Sequence, residues 1–184
     1  DDSFLVGGQV GSEQALGDGA LKFGIGYFNF LDSRGEMPFF DGSASGNRLD
    51  ANGDYLNGFE LIEGFAEYSA ALADGKLTLY LDYVQNLEAS NYDTGYAVGG
   101  KYKVDKWQFG YTYQELEADA VLGTFTDSDF IGGGTDGEGH ILQTSYALNK
   151  SISLKGTLFL NDRNIDFGNE EEFKRLMLDI SFKY

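Results

Sequence analysis

Cysteine is absent from this chain of 184 residues, and histidine and proline each occur once. Without cysteine, the chain can form neither disulfides nor Cys-based zinc sites. With His140 as the only histidine, neither a His-cluster metal site nor a Ser-His-Asp triad is expected. Long apolar runs are also lacking: no stretch reaches the roughly 18 residues that a membrane-spanning helix needs.

Positive charge is scarce. The chain has 13 Lys and Arg against 30 Asp and Glu, a formal net charge of −17. Nucleic acid is therefore excluded as an expected partner, because its phosphates would be repelled. Glycine (26), phenylalanine (15) and tyrosine (12) are abundant instead, which favours β-structure with many tight turns. The length predicts one domain, residues 1–184.

The segment Lys174–Tyr184 alternates between apolar and mostly polar residues. As a β-strand, it would carry on one face Leu176, Leu178, Ile180, Phe182 and Tyr184. A strand with one apolar face, one polar face and a terminal aromatic ring is typical of outer-membrane barrels, which meet lipid on one side and water on the other.

Eight further segments show strand patterns of about the length that crosses a bilayer when tilted. The nine predicted strands are Phe4–Glu13, Leu21–Leu31, Phe59–Ala70, Lys76–Asn86, Thr94–Val104, Trp107–Glu117, His140–Leu148, Ile152–Asn161 and Lys174–Tyr184. Short connections alternate with long polar ones, at Asp32–Gly58, Leu87–Asp93, Ala118–Gly139 and Asp162–Phe173. This alternation predicts an all-β fold, a transmembrane antiparallel up-and-down β-barrel.

The odd number of strands needs an explanation, because bacterial single-chain barrels have even numbers. We expect the chain to be the C-terminal part of a larger barrel. The alternative is an eight-stranded barrel in which Phe4–Glu13 does not span. In the first case the missing strands would come from the rest of the polypeptide or from another copy, because an open sheet edge cannot face lipid.

Several stretches resemble the putative porin family of Gram-negative outer membranes, in its C-terminal part. They are LKFGIGYFNF (Leu21–Phe30), LTLYLDYVQNLEAS (Leu77–Ser90), Asp93–Phe130, GGGTDGEGHILQTSYAL (Gly132–Leu148) and the closing LMLDISFKY. The resemblance implies a barrel larger than this chain, passive solute diffusion, a homotrimer, and no catalytic residues. It also implies a location in the outer membrane, in contact with its lipid and lipopolysaccharide.

Alternation assigns a set of charged and amide side chains to the polar faces of the strands. The predicted pore-lining residues are Lys22, Glu63, Glu67, Asp82, Lys101, Lys103, Gln108, Gln114, Lys155, Asp179 and Lys183. In a water-filled lumen such charges tune ion preference. They could equally hydrate or bridge the interior of a filled barrel.

Acidic residues concentrate in three of the long connections, which hold 15 acids and 3 bases. This charge is either a solvated surface or a field that gathers cations at a pore mouth. Asp50, Asn52 and Asp54 are candidate calcium ligands, although Tyr55 and Leu61 stand where a helical calcium loop has Gly and Glu. The stretch Thr126–Glu138 could also bind calcium, be mobile, or fold into the barrel and narrow it; no other cofactor is expected.

Aromatic residues near strand ends predict girdles at the membrane boundaries. They are Tyr27, Phe28, Phe30, Tyr68, Tyr92, Trp107, Phe159, Phe173, Phe182 and Tyr184. The preferred functional prediction is a non-enzymatic porin for small hydrophilic solutes, with a bias toward cations. The alternatives are a structural or adhesive barrel with a filled lumen, whose acidic loops bind calcium or a partner, and a soluble barrel with its apolar face inward.

Overall fold

The computed structural model describes residues 4–39 and 42–183. They form nine β-strands and a single 3-10 turn at Gly123–Phe125. The strands are β1 (Phe4–Leu16), β2 (Gly19–Leu31), β3 (Phe59–Leu72), β4 (Gly75–Asn86), β5 (Thr94–Val104), β6 (Trp107–Leu116), β7 (Gly137–Ala147), β8 (Ile152–Arg163) and β9 (Glu171–Phe182). All nine predicted strands are present, with ends shifted by up to three residues. Tyr184 lies outside the described residues.

Each strand pairs antiparallel with the next one along the chain, in the order β1 to β9. This up-and-down order confirms the predicted all-β antiparallel fold. The segment Phe4–Glu13 lies within β1, which pairs with β2 along its whole length, from Phe4 opposite Leu31 to Leu16 opposite Gly19. β1 and β9 are the two edges of the sheet, so the described strands do not close on themselves.

The connections alternate in length as the sequence predicts. Short turns join β1 to β2, β3 to β4, β5 to β6 and β7 to β8. The turn between β1 and β2 has two residues and begins at Gly17, whose positive φ of 58° favours glycine. Residues 32–58, 87–93, 117–136 and 164–170 form the long loops at the opposite end. We call these two ends the turn end and the loop end. In the described chain, no helical segment has the length and apolarity to cross a membrane.

The two faces of the sheet differ in chemistry. Leu178, Ile180 and Phe182 all lie on one face, and they are 79%, 61% and 69% exposed. The same face carries exposed Leu81, Val98, Phe109, Leu142 and Leu158 on other strands. We call it the apolar face. The long loops cover the loop end of the other face. This arrangement disfavours a soluble barrel with its apolar side chains directed inward.

Candidate functional site

The opposite side of the sheet, here called the polar face, carries the residues predicted to line a pore. The strand register places Lys22 opposite Glu67, Lys103 opposite Gln108, and Lys155 opposite Asp179. Glu63, Asp82, Lys101 and Gln114 fall on the same face by the same register. Lys183 lies one residue beyond β9, and its backbone N–H donates to the Ser151 carbonyl at 2.7 Å. The structure thus brings this set to one side, and its role in lining a passage stays a prediction.

The charged groups on the polar face make loose contacts near the turn end. Lys22 Nζ lies 3.7 Å from Glu13 Oε2 and 4.0 Å from Glu67 Oε1, and all three side chains are about half exposed. Lys101 Nζ lies 5.2 Å from the centroid of the Tyr80 ring. Exposed pairs of this kind contribute about 0–1 kcal/mol each. These charged groups therefore hold their partners only weakly.

Farther toward the loops, the polar face forms a cavity of about 420 Å³. Glu63, Asp82 and Glu115 supply its charge, and Gln9 and Gln114 supply amide groups. The Gln9 amide donates a hydrogen bond to the Glu63 carboxylate. A second recess of about 370 Å³ continues toward the turn end, and Asp82 lines both. Phe65 also lines both spaces, which therefore adjoin along β2 to β5, and together we call them the polar path.

The long loops fold onto the loop end of the polar face. Tyr55 and Leu122 from two different loops pack with Phe59 and Leu61 in one buried cluster. A second buried cluster joins Ala120, Phe130 and Ile131 of loop 117–136 to Leu116, and Val84 and Val121 contact both clusters. We call this packed cover the loop layer. Loop 117–136 therefore packs on the polar face at this end, and the narrowing of a barrel by the stretch Thr126–Glu138 stays a prediction.

The loop layer also corrects part of the predicted girdle. Phe28 and Phe30 lie on the polar face and pack against the cluster of Tyr55 and Phe59, rather than at a membrane boundary. Phe159 lies on the same face and is 4% exposed. Phe173 lies there too, and its ring centroid is 5.9 Å from the central carbon of the Arg163 guanidinium. The apolar rings of Phe28 and Phe30 thus serve loop packing. Tyr27, Trp107 and Phe182 do project from the apolar face.

Asp119 is the buried charged centre of the loop layer, and its side chain is 1% exposed. Its Oδ2 accepts from Arg48 Nε at 2.6 Å and from Asn57 Nδ2 at 2.7 Å, while Oδ1 accepts from the Arg48 backbone N–H at 2.9 Å. The Arg48 guanidinium also lies 4.8 Å from the Tyr92 ring centroid. A carboxylate buried in this way is stable only while its partners remain. Asp119 thus connects loops 32–58, 87–93 and 117–136.

Two buried asparagines complete these connections. Asn47 Nδ2 donates to the Ala118 and Val121 carbonyls at 2.7 and 2.8 Å, and its Oδ1 accepts from the Gly123 N–H at 2.8 Å. Asn86, at the end of β4, donates to the carbonyls of Gly58 and Asp119 at 2.9 and 2.8 Å. The sequence did not single out either residue, because an isolated loop or strand-end asparagine carries no periodic signal.

The predicted calcium ligands lie together in loop 32–58, and hydrogen bonds already occupy the Asp50 carboxylate. Asp50 Oδ1 accepts from the backbone N–H groups of Asn52 and Asp54 at 2.8 and 3.1 Å. These bonds, that of Asp54 foremost, lower the pKa of Asp50. Their pattern is that of an Asx turn. Calcium binding by Asp50, Asn52 and Asp54 stays a prediction.

Two acidic side chains meet where loop 164–170 joins the loop layer. Asp136 Oδ1 accepts from the Asp166 backbone N–H at 2.7 Å, and Asp166 Oδ2 accepts from the Ala118 N–H at 2.8 Å. Burial raises the pKa of Asp136, against the opposing effect of the nearby backbone N–H groups of residues 165–167. Burial likewise raises the pKa of Asp166, and the neighbouring carboxylates of Asp136 and Glu117 add to that increase.

No curated protein sequence matches the chain. The sequence model of the family described as "putative porin" matches residues 88–184, just over half of the chain. The matched part includes loop 117–136 and the strands β5 to β9. Together with the nine-stranded antiparallel sheet, this match shows that the chain belongs to the putative porin family.

Proposed function

We propose that this chain forms part of the wall of an outer-membrane pore through which small hydrophilic solutes and ions diffuse. The division of the sheet into two faces carries the proposal. One face exposes Leu, Ile, Val and aromatic side chains over all nine strands, while the other holds Lys, Glu, Asp and Gln along a recessed path. A transmembrane barrel with a hydrated lumen needs this division. Passive diffusion requires no catalytic residue, and we propose no enzymatic activity.

A preference for cations is the second part of the proposal. The path along the polar face passes Glu63 and Asp82, which line the cavity of about 420 Å³ beneath the loop layer. The loops above hold most of the excess negative charge of the chain. Fixed carboxylates at a constriction and its entrance raise the local concentration of cations and lower that of anions. Lys22 and Lys101, farther along the path, moderate this preference.

The edges of the sheet require partners in a membrane. The outward backbone N–H and C=O groups of β1 and β9 cannot face hydrocarbon unpaired. We propose that further strands close the barrel, from the rest of the polypeptide or another copy. A homotrimer in contact with lipid and lipopolysaccharide of a Gram-negative outer membrane is part of the same proposal.

The loop layer favours a second candidate, a structural or adhesive barrel whose lumen is filled and whose acidic loops bind calcium or a partner. Two buried apolar clusters and the buried Asp119 network cover the loop end of the polar face. Loops that cover part of a lumen narrow the pore, and loops that cover all of it would close the pore. Conductance separates the two candidates.

The experiment is reconstitution of the purified protein into a planar lipid bilayer in KCl. The porin proposal expects stepwise conductance, and a KCl gradient across the bilayer should give a reversal potential of the sign for cation preference. If folded protein inserts without conductance steps, the filled barrel is the better description. Conductance steps with a preference for anions would support the pore and contradict the proposed preference for cations.

A further inference from the structure

The two ends of the sheet carry opposite charge. We call the residues within four positions of a short turn, with the end of β9 that pairs with them, the turn-end region; it comprises residues 13–22, 69–78, 101–110, 144–155 and 179–183. This region holds eight Lys against five Asp and Glu, a net charge of +3. The rest of the chain holds five Lys and Arg against 25 Asp and Glu, a net charge of −20. A strongly acidic chain therefore has a positive turn-end region.

Four lysines of this region lie on the polar face. Lys76 on β4 stands directly opposite Lys103 on β5, and Lys101 lies two residues away on the same face of β5. The same row of the ladder continues to Lys155 on β8. All four residues are exposed. We call them the basic band.

The basic band is not neutralised by neighbouring carboxylates. Among the described residues, no Asp or Glu oxygen lies within 4.0 Å of the Nζ of any of its four lysines, although Asp179 stands opposite Lys155. Like charges directly opposite each other, such as Lys76 and Lys103, destabilise a sheet. Strand pairing therefore does not explain the band, and its charge acts on ions at the polar face.

The basic band and the cavity carboxylates follow one another along the polar face. On β4, Asp82 lies six residues from Lys76 toward the loop end, and Glu63 stands opposite Val84, two residues farther. We call Glu63, Asp82 and the acidic loops above them the acidic zone. At about 3.4 Å per residue, Lys76 and Asp82 are about 20 Å apart along the strand. This distance is about twice the Debye length of about 10 Å in about 0.1 M salt, so the two zones act separately on ions.

We propose that the pore conducts unequally in its two directions, because the acidic zone and the basic band lie one after the other along it. This inference rests on the proposed function, since it needs a hydrated lumen. Cations concentrate beside the acidic zone and anions beside the basic band. A positive potential at the loop end drives both kinds of ion toward the boundary between the zones, where they accumulate. A negative potential draws them apart and depletes the boundary, so the current should be larger when the loop end is positive.

Single-channel currents at equal voltages of opposite sign test the proposal, in a planar bilayer with the same KCl concentration on both sides. A unit charge at about 4 Å in water changes the local concentration of an ion by up to about fivefold, so the ratio of the two currents should lie between about two and five in about 0.1 M KCl. In about 1 M KCl the Debye length falls to about 3 Å, and the ratio should approach one.

The orientation of each channel is found with a single thiol. The chain has no cysteine, so Ser90→Cys in loop 87–93 introduces one thiol at an exposed position of the loop end. After biotin is attached to this thiol, streptavidin binds only when it is added to the compartment that holds the loop end. The resulting fall in current identifies that compartment and gives the sign of the asymmetry.

Two double variants with the same change in net charge separate the basic band from overall charge. Lys76→Gln with Lys103→Gln removes two charges of the band, and the current ratio should fall toward one. Arg34→Gln with Lys174→Gln removes two exposed bases at the loop end, and the ratio should stay the same or rise. If the first variant does not fold by circular dichroism, Lys101→Gln with Lys155→Gln removes the same charge from the band and replaces it.

Several outcomes overturn the inference. Equal currents in both directions in about 0.1 M KCl would reject it while the conductance still supported the pore, whereas an absence of conductance would reject both. A larger current with the loop end negative would contradict the order of the two zones. An asymmetry that persists in about 1 M KCl, or that survives loss of the band lysines, would have its cause in the shape of the lumen and not in its charge.

Discussion

Arg48 Nε lies 2.6 Å from Asp119 Oδ2 across 71 residues of sequence, and the Asp119 side chain is 1% exposed while that of Arg48 is 20% exposed. The pair joins two long loops above the polar path. Breaking this pair would cost free energy, because the buried Asp119 carboxylate would then have neither water nor a counter-charge. The loop layer is therefore expected to be a fixed cover rather than a mobile one.

Replacing Asp119 should loosen that cover. Asp119→Ala leaves Arg48 and Asn57 without their acceptor, and we expect a loss of about 3–5 kcal/mol in the free energy of unfolding. Urea titration of the protein in detergent measures it. Asp127→Ala removes an exposed acid from the same loop and should stay within about 0.5 kcal/mol of the wild type. Equal stability of the two variants would contradict a structural role for the pair.

Neutralising the cavity acids should change ion preference. Glu63→Gln combined with Asp82→Asn removes the two polar-face charges from the cavity of about 420 Å³, and the charge of Glu115 remains. A unit charge at about 4 Å in water is worth about 1 kcal/mol, which changes the local concentration of potassium and of chloride by up to about fivefold in opposite directions. The potassium-to-chloride permeability ratio should therefore fall by up to about 25-fold for each charge removed. Reversal potentials in a KCl gradient measure this ratio.

Glu172→Gln is the control for that measurement, because Glu172 is an exposed acid on the apolar face of β9. It should leave the permeability ratio unchanged. A comparable shift in both variants would mean that overall charge, rather than the polar face, sets selectivity.

The strands and their faces follow from local alternation, and this is why the sequence predicted them. Leu178 and Ile180 face one way and Asp179 the other, as the period of two requires. The loop layer depends instead on contacts between distant residues. Asn47 donates to Ala118 and Val121, more than 70 residues away, and nothing in the local pattern around Asn47 distinguishes it from a solvated turn residue.

The girdle prediction failed for the same reason at Phe28. An aromatic residue near a strand end has two possible destinations, the membrane boundary or the underside of a loop. Phe28 has the second destination, because it packs against the cluster of Tyr55 and Phe59. Strand parity did place Phe28 on the polar face, and that signal should have outweighed its position at the strand end.

Two glycines test the packing of the two faces, Gly24 on the polar face of β2 and Gly8 on the apolar face of β1. A Cβ added at Gly24 would lie 2.6 Å from the Phe65 ring and 2.8 Å from the Val10 carbonyl oxygen, whereas a Cβ at Gly8 would meet no atom within 4 Å. Gly24→Ala should therefore cost about 1–3 kcal/mol through overpacking. Gly8→Ala should be neutral or slightly stabilising, because it lowers the entropy of the unfolded chain. Urea midpoints of the two variants measure the difference, and a larger loss at Gly8 would contradict the described packing.

Adjacent residues of β7 test which face of the sheet meets lipid. Leu142 projects from the apolar face, opposite Tyr111 and Leu158, and Gln143 projects from the polar face, opposite Gly110 and Thr157. Leu142→Arg should reduce the free energy of folding into lipid vesicles by about 2–4 kcal/mol if it lies near the bilayer midplane.

Gln143→Arg places the same charge one residue away, on the side proposed to be wet, and should cost far less because the guanidinium stays hydrated. Urea titration of both variants in vesicles compares the two costs directly. A greater loss for Gln143→Arg than for Leu142→Arg would reverse the assignment of the faces. The hydrated path along β2 to β5 would then have no basis, because its carboxylates would face hydrocarbon.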